Sequence, residues 1–311
     1  MRKYLPVILT LIVITVTAYF VVSKKNEREK SIEIVKEERG IGTFSMQKKC
    51  AIPPLFLKER NIFQPVMIDL SQKRFKGIAF LYGKNFEKVL HPKQWEQYEH
   101  FSTYTVDKQG NIYLVPVPLI SIHSTTFNLQ KKIYKLDSRT GKLSIFMHLD
   151  DVHPSANNPY GVNAITFDCD DASLWIATID ESNYQSQKGV IYHINLKNKE
   201  ILQRFEGVDV LSMSLIKSDK GKFLLIGSAR DNGLYAYPIL DNKLKSSPIK
   251  LLDLPNVNEH IRKIKVTGTN LLELQSIPFS YTLITQTAKK DRLIYKVVWE
   301  SKQQKWNLIS L

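Results

Sequence analysis

From about residue 46 to the C-terminus, apolar positions fall in short runs of Ile, Val, Leu, Tyr, Phe and Trp. Gly, Asn, Asp, Ser and Lys separate the runs. Helical spacing does not persist beyond two turns in this stretch, so the pattern predicts strands joined by tight turns. The runs also recur in order. One unit spans Phe101 to Phe146, a second Gly161 to Phe205, a third Val210 to Leu252 and a fourth Ile261 to Leu311. An Ile-Tyr or Leu-Tyr pair marks each, at Tyr134, Tyr192, Tyr235 and Tyr295. The markers are 58, 43 and 60 residues apart, and the variation falls in the loops. A degenerate unit is expected within residues 51–99, where FKGIAFLYGKNFEKVL matches the second half of the repeat.

Each unit reads as four strands. An apolar first strand ends near Asp or Lys, and a turn follows: Lys108–Asn111, Asp170–Ser173, Asp219–Lys222 or Gly268–Asn270. Gly, Asn and Asp suit such turns because they tolerate positive φ or bond to their own backbone. A four-stranded sheet of this size cannot cover both of its faces. Several sheets set around one axis cover each other, so the expected fold is all-β, a β-propeller of five to six four-stranded blades. Five is the direct count; residues 31–60 are the place for strands of a sixth.

The N-terminal region differs. Leu5–Val22 is an uncharged apolar run behind the basic stub Met1-Arg2-Lys3, and as a helix it would reach about 27 Å. It is expected to be a hydrophobic helix acting as a signal anchor. The alternative is a signal peptide cleaved near Val16-Thr17-Ala18, which would release the chain. Residues 1–22 are therefore read as anchor or signal, 23–45 as a charged linker and 46–311 as the propeller domain. Either reading places the bulk of the chain outside the cytoplasm, at the periplasm or cell surface.

Charge and cysteines refine this picture. The chain has 44 Lys+Arg against 30 Asp+Glu, a formal net charge of +14. The lysines are dispersed, and no basic block or interleaved aromatic signature marks a specific nucleic-acid site. Cys50 and Cys169 could pair in an oxidising compartment and close a long loop. The other reading is that Cys169, in an expected strand, is a buried thiol.

The D-x-x-G-N-I-Y-L element at Asp107–Leu114 and the G-x-I-Y element that begins at Gly189 resemble blades of the NHL, TolB-like and gluconolactonase-type propeller superfamily. The likeness covers about residues 50–311. It implies a scaffold with many activities. Its gluconolactonase-type members imply a divalent metal, calcium or zinc here, held by Glu, Asn and Asp from different blades. Asn163 matches the Asn position. The Asp expected two residues before Met213 is replaced by Leu211, and Asp209 lies two residues too early.

Propeller ligands generally use the face that carries the loops into the first strand and between the second and third. The long loops Pro116–Gln130, Leu149–Val162, Asp180–Lys188 and Ser276–Asp291 belong there, and long loops carry function more often than tight turns. The candidate ligand-binding residues are Asn163, His153, Asp209, Asp180, Glu259, His260 and Arg230, with Asn163 also the candidate metal ligand. His100, His123, His153 and His260 share this face. No nucleophile elbow, HExxH helix, P-loop or dinucleotide fingerprint occurs. Trp175, Trp299 and Trp306 are expected in inter-blade packing. The first functional expectation is a non-enzymatic propeller that binds a small-molecule ligand or an envelope protein through this face. The alternative is a metal-dependent lactonase or hydrolase with Asn163 as ligand.

Overall fold

The computed structural model describes residues 40–45, 50–70, 74–98, 100–118, 127–282, 292–303 and 305–310. The chain divides into two units, Met1–Ile41 and Gly42–Leu311. The apolar segment Leu5–Val22 and most of the charged linker lie outside the described residues. Among the described residues, no helix is long and apolar enough to cross a membrane.

The second unit carries five antiparallel sheets in chain order. The first holds β1 (Val66–Asp69), β2 (Ala79–Tyr82) and β3 (Lys88–Leu90). The second holds β4 (Phe101–Val106), β5 (Ile112–Pro116), β6 (Lys132–Leu136) and β7 (Leu143–His148). The third holds β8 (Val162–Asp168), β9 (Ser173–Thr178), β10 (Val190–Asn195) and β11 (Ile201–Glu206). The fourth holds β12 (Val210–Ser218), β13 (Gly221–Ser228) and β14 (Gly233–Leu240). Its last position is split between β15 (Lys243–Leu244) and β16 (Ile249–Asp253), which both pair with β14. The fifth holds β17 (Glu259–Gly268), β18 (Leu271–Pro278), β19 (Leu293–Glu300) and β20 (Lys305–Ser310).

The chain is a five-bladed β-propeller. The repeat units coincide with the last four sheets, and the degenerate unit forms the first, with three strands in place of four. Residues 50–60 add no strand to a sixth sheet; they carry the short helix α1 (Leu55–Glu59).

Packing follows from the strand pattern. The middle strands β5, β9 and β13 are apolar and almost wholly buried, because neighbouring sheets cover both of their faces. Phe80 of the first sheet packs with Leu114 and Tyr134 of the second. Tyr113 and Phe146 pack with Ile165 and Tyr192 of the third. Trp175 and Ile191 pack with Met213, Leu224 and Tyr237 of the fourth. Each such side chain contributes about 1.5–3 kcal/mol when fully buried. Gly227 lets the fourth and fifth sheets approach, since a Cβ there would stand 2.4 Å from Ile261 O. Ser212 Oγ donates to that same carbonyl at 2.6 Å. The first strands β4, β8, β12 and β17 pack in succession, placing them toward the common axis.

The lower turns behave as expected. Asp107 Oδ1 accepts from the N–H groups of Gln109 and Asn111, both at 2.9 Å, around Gly110 at φ +81°. Asn270 adopts φ 56° in the corresponding turn of the fifth sheet. The chain just after residue 42 joins two of these turns. Thr43 N donates to Asp219 Oδ1 and Phe44 N to Asn270 Oδ1, each at 2.9 Å. Phe44 also packs on Trp306, which in turn packs on Trp299.

Cys50 and Cys169 are joined by a disulfide. Cys169 lies in the turn after β8, outside the strand expected for it. The bridge closes a sequence separation of 119 residues beside the core shared by the second and third sheets.

Candidate functional site

The described parts of three loops selected by length, 149–162, 180–188 and 276–282, gather at the upper ends of the first strands. Asp209, just before β12, is the centre of their bonding. Its Oδ1 accepts from Ser182 Oγ at 2.6 Å and Gly189 N at 2.9 Å. Its Oδ2 accepts from Tyr281 OH at 2.5 Å, across 72 residues of chain. Ser182 Oγ accepts in turn from Lys188 N at 2.9 Å. Asn158 Nδ2 donates to Ile179 O at 2.5 Å and Ser182 O at 2.8 Å, which ties the 149–162 loop to the 180–188 loop. Burial first, and then the Asp209 carboxylate, push the Tyr281 hydroxyl well above the ordinary tyrosine value, so it stays a donor at neutral pH.

Arg230 fixes the outer half of the same loop. Its Nη1 donates to Asn183 O at 2.5 Å and its Nη2 to Tyr184 O at 3.1 Å; Nη1 stands 3.9 Å from Asp209 Oδ2. Tyr184 is 62% exposed on the rim, with its hydroxyl donating to Ser280 Oγ at 2.9 Å and its ring edge-on to Tyr281. Tyr281, Phe279 and Tyr160 continue this aromatic row, with centroids 5.2 and 5.4 Å apart. Leu211, Ile179 and Ala229 pack beneath it.

The remaining candidates occupy distinct places. Asp180 is buried and accepts from His153 N at 2.7 Å, and burial raises its carboxyl above the usual aspartate value. The His153 side chain itself is exposed. Glu259, at the head of β17, accepts from Ser276 Oγ and from Tyr295 OH at 2.9 Å. Burial, then Glu259, push Tyr295 up to about 12. The marker tyrosine Tyr192 makes the same kind of bond to Asp151 at 2.8 Å, and Tyr235 to Asp231 at 2.7 Å. The repeated tyrosine thus fastens an upper-loop acid in three sheets. His260 is buried against the Phe279 ring. His100 Nδ1 bonds Phe75 O at 3.0 Å. His123 lies outside the described residues.

Asn163 stands closer to the axis. Strand register slips by one residue between Phe101 and Thr103, Val162 and Ala164, Val210 and Ser212, and Ile261 and Lys263. Each slip lies at the upper end of an inner strand, and it takes Ser102, Asn163, Leu211 and Arg262 out of the regular alternation. Asn163 Nδ2 donates to Val210 O at 2.6 Å, and Arg262 Nη1 donates to the next carbonyl, Leu211 O, at 2.9 Å. These side chains therefore meet the β12 bulge from opposite sides. A carbonyl only accepts, so the Asn163 contact fixes its amide orientation and leaves Oδ1 facing away. Asn163 is 4% exposed, and its Oδ1 has no hydrogen-bond partner; Ser102 Oγ is likewise buried and unpaired.

This donor set does not suit the calcium or zinc ion that the gluconolactonase-type resemblance implies. The Asp209 oxygens are taken by three donors, Glu259 is taken by Ser276 and Tyr295, and the charged group that shares the β12 bulge with Asn163 is a cation, Arg262 of β17. Among the described residues, no three His, Cys, Asp or Glu side chains form a metal-ligand group. Sequence reasoning selected the acids and amides of this face but missed Ser182, Tyr281 and Arg262. Tyr281 was signalled only by lying in a long loop, and Arg262 only by the two polar residues between Ile261 and Ile264, which break strict alternation.

No protein-family model matches the chain, and no curated protein matches it. Among solved structures, it is similar to a glucose dehydrogenase at 15% identity and a TM-score of 0.42, over 73% of this chain and 76% of that one. A chain of a nidogen/laminin complex gives 15% identity and a TM-score of 0.36, over 58% of each chain. An oligogalacturonate lyase from Vibrio parahaemolyticus gives 9% identity and a TM-score of 0.37, over 78% of this chain and 64% of that one. The propeller assignment rests on the five sheets and their packing.

Proposed function

We propose that this chain is an exported recognition protein whose propeller binds a partner or ligand through its upper face. The observation that carries the reading is the Asp209 network. It ties loops from three sheets into one bonded surface before any partner arrives. Loops ordered in advance lose less entropy on binding. Tyr184 adds an exposed aromatic on that surface, and aromatics are favoured at recognition sites. The Cys50–Cys169 bridge supports a place outside the reducing cytoplasm. In this reading Leu5–Val22 holds the protein to the membrane, with cleavage near Ala18 the alternative.

Hydrogen exchange on the full chain with and without a detergent-solubilised envelope fraction tests the proposal. Protection is expected in 150–162, 179–189 and 278–282, and it should weaken in Tyr184→Ala. Protection confined to the lower turns 107–111, 170–173 and 219–222, or none anywhere, would overturn it.

A further inference from the structure

Arg262 is a charged group of the upper face whose hydrogen bond goes to a neutral carbonyl. A guanidinium carries five N–H donors. One of them is used, toward Leu211 O, and among the described residues Arg262 has no carboxylate partner. The side chain is partly buried, where an unpaired charge is costly. Burial pulls its proton affinity below the usual arginine value; the Tyr160 hydroxyl opposes that shift and the Arg292 charge adds to it. An anion placed beside Arg262 would be drawn by its charge.

On the other side of the same β12 bulge stands a buried acceptor with nothing to accept. Asn163 Oδ1 needs an N–H or O–H, which a fully ionised phosphate or sulfate does not offer. Leu211, the bulged residue between Asn163 and Arg262, packs with Tyr160 and Phe279. That supplies an apolar wall to the same place. Cation, acceptor and apolar wall select a ligand with three matching parts.

We propose that the bulges at the upper ends of β8, β12 and β17 form a binding site for a small organic carboxylate that carries a hydroxyl or amino donor. Arg262 takes the carboxylate, Asn163 Oδ1 takes the donor, and the Leu211–Tyr160–Phe279 wall covers the carbon skeleton. The repeated register slip is what builds the site, because it turns one side chain per inner strand off the packed faces. This inference rests on the reading of the upper face as a recognition surface, and it names the chemistry of one ligand there.

The test uses the full chain and four probes read by ligand-detected NMR and calorimetry. Mandelate has carboxylate, hydroxyl and ring; phenylacetate lacks the hydroxyl; benzyl alcohol lacks the charge; sulfate has charge alone. Mandelate is expected to bind at millimolar concentration or below. Phenylacetate should bind about tenfold more weakly, the cost of one unmade bond to a buried acceptor. Benzyl alcohol and sulfate should be weaker still. Arg262→Gln should weaken mandelate by at least about tenfold. Asn163→Ala should erase the difference between mandelate and phenylacetate, a ratio that a merely structural role would not change. If Arg262→Gln fails to fold, the four probes and the Asn163 ratio still decide. Equal binding of benzyl alcohol and mandelate, unchanged affinity in Arg262→Gln, or no binding of any probe overturns the site. Upper-loop protection by the envelope fraction without any carboxylate response overturns this inference alone; absence of both overturns the proposed function as well.

Discussion

Asp209→Ala removes the residue on which the upper loops converge. The carboxylate is 1% exposed and accepts three bonds, from Ser182 Oγ, Gly189 N and Tyr281 OH. A bond to an ionised acceptor contributes about 1.5–3 kcal/mol. The three share one carboxylate, so their losses do not simply add. Truncation also strands three buried donors, while water entering the vacated space offsets part of the cost. The expected destabilisation is about 3–5 kcal/mol, or roughly 6–15 °C in Tm for a unit of this size. Urea or thermal denaturation measures it, and hydrogen exchange should show faster opening of 179–189 and 278–282 with the outer strands unchanged. Asp209→Asn is the milder comparison. Its remaining oxygen keeps Ser182 and Gly189, and the Tyr281 hydroxyl can turn to accept from the new amide. A cycle with Tyr281→Phe should give a coupling of about 1 kcal/mol or more. A loss below about 1 kcal/mol in Asp209→Ala, or unchanged exchange in both loops, would refute the network as the element that orders this face.

Replacing Cys50 and Cys169 by Ser should cost about 4–5 kcal/mol, because the bridge closes a loop of 119 residues in the unfolded chain. Equal urea midpoints for the oxidised parent and the double variant would contradict this. Asp180 gives a pH signature. Its folded carboxyl lies above the ordinary 3.8, so its stabilising contribution is complete below that pH and is lost as pH climbs through the raised value. Asp180→Asn keeps an acceptor for His153 N and has no charge to desolvate. The variant should therefore gain on the parent as pH rises from 4 toward neutrality, in melts across that range. A constant difference between the two at all pH values would rule out titration of Asp180 as the cause.

The chain's local pattern determined the strands and the lower turns and left five or six sheets open; the packed structure decided on five. Strand alternation, Gly110 and Asn270 at positive φ, and the tyrosine markers all act within a few residues, so they are visible in one dimension. The same pattern showed which loops are long and which acids they carry. Tertiary structure alone decided what those acids do. Asp209 and Glu259 were candidates for meeting a ligand, yet Tyr281, Ser182, Ser276 and Tyr295 consume their lone pairs from within the fold. Those donors arrive from other loops and strands, up to 72 residues away, and no local periodicity encodes their arrival. Arg262 and Asn163 show the complementary case. A one-residue slip of register changes where a side chain points, and the partner strand decides which carbonyl it meets. Pairing between strands, not the order of residues along one strand, is what turns them toward the axis.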